Sequence, residues 1–337
     1  RRWLLERRPD ADSLLGAANQ LPHDYGCPQA VRTALPPELY PTAYIAERAE
    51  AWLKAREASD RPFFLMVSFP DPHHPFNPPG HYWDLYAPDD MPVPEAFTRN
   101  DWTKPPHVAG IHAQRAEGRA ALKGMGTIGV SAREAQEAQA LTCGMIAMVD
   151  DAVGRVRAAP GAGQAVQIFT SDHGDHLGDH GLMLKGAEQY EQITRVPFLW
   201  ADPTGDLPSL EGGFGQTYDI GTTILDRARL APAIGMQGRS LLSGLRDAAL
   251  IQYDHQKDNP GIGRGPRVHT LRHGQWRLSL IAGVDWAELY DLDADPGEFT
   301  NLWDDPAHQS LRAALLERLA RAEIDAVDRA PFPVAQA

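Results

Sequence analysis

The stretch Thr170-Ser171-Asp172-His173-Gly174-Asp175-His176-Leu177-Gly178-Asp179-His180-Gly181 carries six carboxylate or imidazole side chains in nine positions, and Lys185 follows shortly. An Asp supplies an anionic oxygen and a neutral His a nitrogen. The adjacent pair Asp172 and His173 therefore suits a divalent cation such as Ca, Mn, Mg or Zn. Two ligands do not make a site, and an isolated Asp-His pair is more often a pair of solvated turn residues. Clustering with a downstream Lys reverses that balance. Three glycines in the stretch let the backbone turn tightly and approach a ligand closely. A second polar cluster, Pro70-Asp71-Pro72-His73-His74-Pro75, is followed by Asn77, Pro78 and Pro79, and no regular element can absorb it.

Both clusters follow segments that read as core elements. The apolar residues Ile45, Ala49, Trp52 and Leu53 predict an amphipathic helix over 41–59, and the run 62–69 reads as a short buried strand that ends at the His73 cluster. Residues 82–130, rich in Pro, Gly and charge, read as a long surface excursion. Ser131 and Glu134 form a capping box. Leu141, Met145, Met148, Val149, Val153 and Val156 then mark a long helix ending near Pro160. Strands are expected at 165–170 and 196–200, and a helix near 218–230. Helix followed by strand, twice, indicates an α/β layer with a largely parallel sheet, and such sheets bind ligands at the carboxyl ends of their strands. Asp172 and His173 stand at such an end. Short β segments at 250–253, 268–272, 276–281 and 288–292, then a helix near 308–322, suggest a small C-terminal α+β subdomain over 244–337, set against the α/β part at 1–243.

Composition narrows the partners. With 337 residues, 43% hydrophobic and 23% charged, the sequence is that of an ordinary globular protein. A net charge of -13 without a cluster of Lys or Arg argues against nucleic acid, while an anionic small substrate stays compatible because the local field governs a cleft. No apolar run of about 18 residues is present to span a membrane. Cys27 and Cys143 are too few for a disulfide framework and read as thiols. The compartment is left open.

Longer motifs carry a resemblance. "TSDHGDHLGDHGLMLKG" followed by "YEQITRVPFLW" resembles the metal and substrate motif of sulfatases and of the related phosphonate monoester hydrolases, within the alkaline-phosphatase superfamily. "FLMVSFPDPHHPF" is similar to the strand and loop bearing their catalytic histidine. "GMIAMVDDAVGRV" resembles the helix before their metal strand, and "ELYDLDADPGEFTNLWDDP" their C-terminal strand and turn. The resemblance implies an alkaline-phosphatase-like mixed, mostly parallel sheet flanked by helices. It assigns Asp172 and His173 as metal ligands and Lys185 to the anionic group. It makes His73 the proton donor to the leaving oxygen, with His74 as the rival. His173 falls where most sulfatases carry Asn, which leaves the ester class open. His74, Asp175, His176, Asp179 and His180 could orient the ligands, or serve only the turn, while Glu191 and Arg195 read as structural charges.

Sulfatases of this type use a formylglycine made from the Cys of a Cys-x-Pro-x-Arg motif, and neither Cys27 nor Cys143 has that context. The resemblance therefore implies that nucleophile, further metal ligands and a basic cluster lie in an N-terminal half preceding Arg1. Without that half the chain is expected to be inactive and to leave apolar surface that associates with the other half, with a second copy, or aggregates. Three functions follow for test: a metal-dependent sulfuric ester hydrolase, a phosphonate monoester or phosphodiester hydrolase, and a non-catalytic metal-binding module.

Overall fold

The computed structural model describes residues 1–59, 61–99, 101–118, 127–205, 212–254 and 258–327. Parts of the expected excursion and of the C-terminal subdomain thus lie outside the described residues. After a short α1 (Arg2–Arg7), α2 (Pro41–Ala55) opens with Pro41, whose fixed φ suits a first helical turn. Thr42, Ala46, Ala49 and Leu53 form its buried face, which packs on the longer helix described next.

The excursion is more structured than its composition suggests. It contains α3 (Pro106–Ala116), with His107, Val108 and Ile111 buried, and Tyr82 and Trp83 are buried as well. Eleven residues opened by Pro105-Pro106 are too few to display a helical period. A two-residue β1 (Ile128–Gly129) leads into α4 (Ala132–Ala158). Its capping box forms as expected: Ser131 Oγ accepts the Glu134 N–H at 3.3 Å, and Glu134 Oε2 accepts the Ser131 N–H at 2.7 Å. Ala135, Ala138, Leu141 and Met145 build the main core with Phe76, Trp83 and Met183. A Cβ at Gly144 would lie 2.2 Å from the Tyr82 carbonyl oxygen, so this helix turn touches backbone and admits only glycine.

The site-bearing layer follows: β2 (Gln167–Thr170), β3 (Leu182–Met183) paired with β1, the single turn α5 (Glu191–Thr194), β4 (Phe198–Ala201) and α6 (Asp219–Arg227). β2 and β4 pair antiparallel, Phe169 opposite Leu199. Among the described residues every named strand pair is antiparallel, and the one parallel bridge joins Ala30 to Phe76. The mixed α/β class stands; the strand polarity differs from the largely parallel expectation. The reason lies in the connection: between β2 and β4 the chain's α-helix is the four-residue α5, too short to be the crossover helix that parallel pairing uses. The run 62–69 also differs from the buried strand expected of it. It joins no ladder among the described residues, and Phe64 and Met66 are 69% and 75% exposed.

The C-terminal part closes on itself. β5 (Ala248–Asp254), a small hairpin of β6 (Asp258–Asn259) and β7 (Gly263–Arg264), β8 (Arg267–His273), β9 (Trp276–Ile281) and β10 (Ala287–Asp291) precede α7 (Gln309–Asp325). The sheet order is β10-β9-β8-β5. Leu271, Leu278 and Leu289 meet Leu315 and Leu319 of α7 in one buried cluster. Among the described residues no helix is long and apolar enough to cross a membrane.

Candidate active site

The His73 loop is fixed from both ends. Asp71 accepts hydrogen bonds from Tyr40 Oη at 3.1 Å and from Thr42 at the start of α2, and Tyr40 also reaches Asn77 at 2.8 Å. Burial raises the Asp71 carboxyl above its ordinary range. Beyond the loop, the Phe76 N–H donates to Gln29 at 2.8 Å. Within it, His73 Nδ1 lies 2.6 Å from the His74 carbonyl oxygen. A carbonyl only accepts, so Nδ1 carries the proton and Nε2 is left for other chemistry. The two imidazoles stack at 4.0 Å.

The second cluster sits directly after β2, where the sequence places it. The Asp172 side chain is 84% exposed, and its Oδ2 lies 3.5 Å from His173 Nε2. His173 Nδ1 donates to the Gly174 carbonyl at 2.8 Å, which leaves Nε2 as the basic nitrogen turned toward the carboxylate. One anionic oxygen and one free imidazole nitrogen side by side form a donor pair that fits a divalent cation. They amount to part of a coordination shell: among the described residues no group of three or more His, Cys, Asp or Glu is disposed to hold a metal ion.

Asp175 ties this turn to Lys185. Its Oδ1 accepts the N–H of Leu177 at 3.1 Å and of Leu184 at 2.9 Å. Burial lowers the Lys185 ammonium from its ordinary value, while the carboxylates of Asp175 and Asp172 pull it back up. His74 joins the two clusters. Burial first, then the positive charges of His73, Lys185 and His173, push its imidazole down to about 4, so the loops share one electrostatic environment. Its Nδ1 is buried without a hydrogen-bond partner among the described residues.

The remaining histidines of the stretch serve the interior. His176 is buried with its Nε2 3.7 Å from Glu188, beyond hydrogen-bond distance. Burial acts to raise Glu188, but His176, His107 and Thr127 outweigh it and hold the carboxyl at about 2. His180 stacks on Tyr190 at 3.7 Å, its Nε2 faces the Glu298 carbonyl at 3.3 Å, and burial pushes it down to about 3. Asp179 begins the tight turn 179–181, its carboxyl raised by burial. Glu191 bonds Arg272 at 2.8 Å, while Arg195 is largely exposed. Glu188, His107, Arg277 and Glu298 had no signal in composition or spacing, except that Glu298 lies in the C-terminal motif. Both cysteines are free thiols, raised by burial, and neither is poised as a nucleophile.

Known proteins match on the same segments. The sulfatase family model matches residues 15–230, and the model for the C-terminal region of N-sulphoglucosamine sulphohydrolase matches 178–325. The multifunctional alkaline phosphatase superfamily protein PehA of Trinickia caryophylli is 30% identical over 319 residues, covering 86% of this chain and 61% of the relative. An arylsulfatase of Clostridium perfringens is 29% identical over 298 residues, covering 83% and 58%. The chain thus spans about three fifths of these relatives' length. Phosphonate monoester hydrolase of Agrobacterium radiobacter superposes with a TM-score of 0.78 at 25% identity, covering 98% of this chain and 70% of that one. A family model that reaches from before the His73 loop to past β4, and relatives at about 30% identity over most of this chain, give one conclusion: the chain belongs to the sulfatase family, with its alkaline-phosphatase-like α/β fold.

Proposed function

We propose that this chain supplies the metal-binding and leaving-group side of a sulfuric ester hydrolase. The observation that carries the reading is the donor pair of Asp172 and His173 Nε2, 3.5 Å apart, on a turn that Asp175 locks to Lys185. A divalent ion held by that pair, with further ligands from a preceding segment, would supply positive charge beside a tetrahedral anion. Lys185 adds a cation for the non-bridging oxygens. His73, its Nδ1–H committed to the His74 carbonyl, offers Nε2 to carry a proton to the departing alkoxide, worth about 10²- to 10⁴-fold in rate. His74, pushed down to about 4, is neutral at ordinary pH and lacks the acidic imidazolium proton that a general acid gives up. The nucleophile, a formylglycine in this reading, would come from the preceding segment, and the chain alone would turn nothing over.

A second reading, a phosphonate monoester or phosphodiester hydrolase, is favoured by His173 at the position where most sulfatases carry Asn and by the likeness to the Agrobacterium enzyme. The chain together with its upstream segment, assayed on matched aryl sulfate, phosphate diester and phosphonate monoester, separates the two. A higher kcat/KM for the sulfate is expected. A higher value for the phosphonate selects the second reading, and no turnover of any ester sinks both. We further propose that the exposed apolar face around 62–69, β2 and β4 is covered in the whole protein by that upstream segment.

A further inference from the structure

We propose that Glu298, in the turn after β10, is a positioning residue that sets the Asp172-His173 turn from the C-terminal sheet; the claim rests on the sulfatase reading for its catalytic consequence. Glu298 is 1% exposed and holds a positive φ of 58°, so its backbone is committed to one unusual conformation. Its carboxylate divides its work. One oxygen accepts from Arg277 Nε, and Oε2 accepts the backbone N–H of Glu191, the first residue of α5, at 2.9 Å. Its carbonyl accepts from His180 at 3.3 Å. One residue therefore grips the site loop on both sides of Lys185.

The path from Glu191 to the donor pair is short. The Ile193 carbonyl accepts the Gly174 N–H at 2.9 Å, and the Gly174 carbonyl in turn accepts from His173 Nδ1 at 2.8 Å. A Cβ at Gly174 would fall 1.8 Å from the Gln192 carbonyl oxygen, so the backbones of α5 and the turn are in direct contact. If α5 shifts, Gly174 and the His173 ring shift with it. Arg277 makes the anchor rigid. It is fully buried, bonded to Ser279 at 2.7 Å and Glu288 at 3.0 Å, and lies over the rings of Tyr190 and Tyr290.

Amide exchange reads this path without any assay of turnover. In the chain together with its upstream segment, Glu298→Ala is expected to speed exchange at the Glu191 and Gly174 amides about tenfold, the loss of one charge-assisted hydrogen bond. Leu271 and Leu278 in the β8–β9 ladder should stay protected. Should Glu298→Ala fail to fold, Glu191→Pro removes the backbone donor together with the side chain that bonds Arg272, while Glu191→Ala removes that side chain alone; proline is tolerated at a first helical position. Compared with Glu191→Ala, it should speed Gly174 exchange and weaken Mn²⁺ binding about tenfold. Equal Gly174 protection in the Pro and Ala variants would overturn the positioning role. If the wild type bound Mn²⁺ but hydrolysed no ester, the functional reading alone would fall.

Discussion

Two of the sheets in this molecule solve the same problem differently. Among the described residues the C-terminal sheet has four strands, with Leu271, Leu278 and Leu289 sealed under α7 and the fully buried guanidinium of Arg277 met by two carboxylates. Among the described residues the β2–β4 pair that ends at Asp172 has two strands, with Phe169 and Leu199 opposite each other and open to solvent. A sheet with a helix across it buries its own apolar face; a two-stranded ribbon does not. The donor pair thus hangs between a finished support, contacted through Glu298, and an open one.

The largest expected effect tests the finished side. Arg277→Met leaves Glu288 and Glu298 buried without a cation, which should cost about 3–5 kcal/mol in a urea titration. A loss below about 1 kcal/mol would mean that the network is dispensable, and the contrast between the sheets would lose its basis. At the join between support and site, Asp175→Ala strips two backbone N–H groups of their acceptor and should cost about 1–3 kcal/mol. Asp175→Asn keeps an Oδ1 and should recover most of that. If Asn and Ala behaved alike in denaturation, the carboxylate would be acting through charge, not as the acceptor that spaces Asp172 from Lys185.

What the sequence reveals follows the same division between local and distant causes. The cap of α4 is written in Ser131 and Glu134, two residues within one four-residue stretch that decides its own geometry. The alternation of β9 marks 276–281, and the pair Asp172-His173 announces itself by type and place. The polarity of β2 and β4 is set by a connection whose path no periodicity reveals. The apolar run 62–69 records a need for cover, not what meets it. Asp175 was legible as a carboxylate, but its partners are main-chain N–H groups, which every residue except proline has. His176 and His180 resemble Asp172 and His173 in the sequence; only tertiary packing turns them to Glu188 and Tyr190. The contact of Glu298 with Glu191 spans 107 residues, beyond the reach of any local pattern.

A smaller effect separates these buried histidines from the exposed donor pair. His180 is neutral when buried, with its folded pKa of about 3 below the ordinary 6.5. Its contribution is therefore complete above about pH 6.5 and is lost as pH falls toward 3, because the unfolded chain takes up the proton first. His180→Asn cannot take that proton, and Asn accepts the positive φ of 55° at this position. Loss of the ring stacked on Tyr190 should cost about 1 kcal/mol at pH 7.5. Melting temperatures across pH 7.5 to 4 should show the deficit shrinking as pH falls. A deficit that stays constant would mean the His180 ring protonates as readily in the fold as outside it.

The smallest effect in this chain bears on the open side. Phe64 is 69% exposed, so Phe64→Ser should change the stability of this chain by no more than about 0.5 kcal/mol and should improve its solubility. The same substitution in the chain joined to its upstream segment should cost about 1–3 kcal/mol, the value of burying one aromatic side chain. The pair of measurements is informative because the two contexts differ only in what lies over the face. A cost above about 1 kcal/mol in the chain alone would show Phe64 already packed. No cost in either context would leave the face uncovered in the whole protein, and the proposal that the upstream segment completes this sheet would fail.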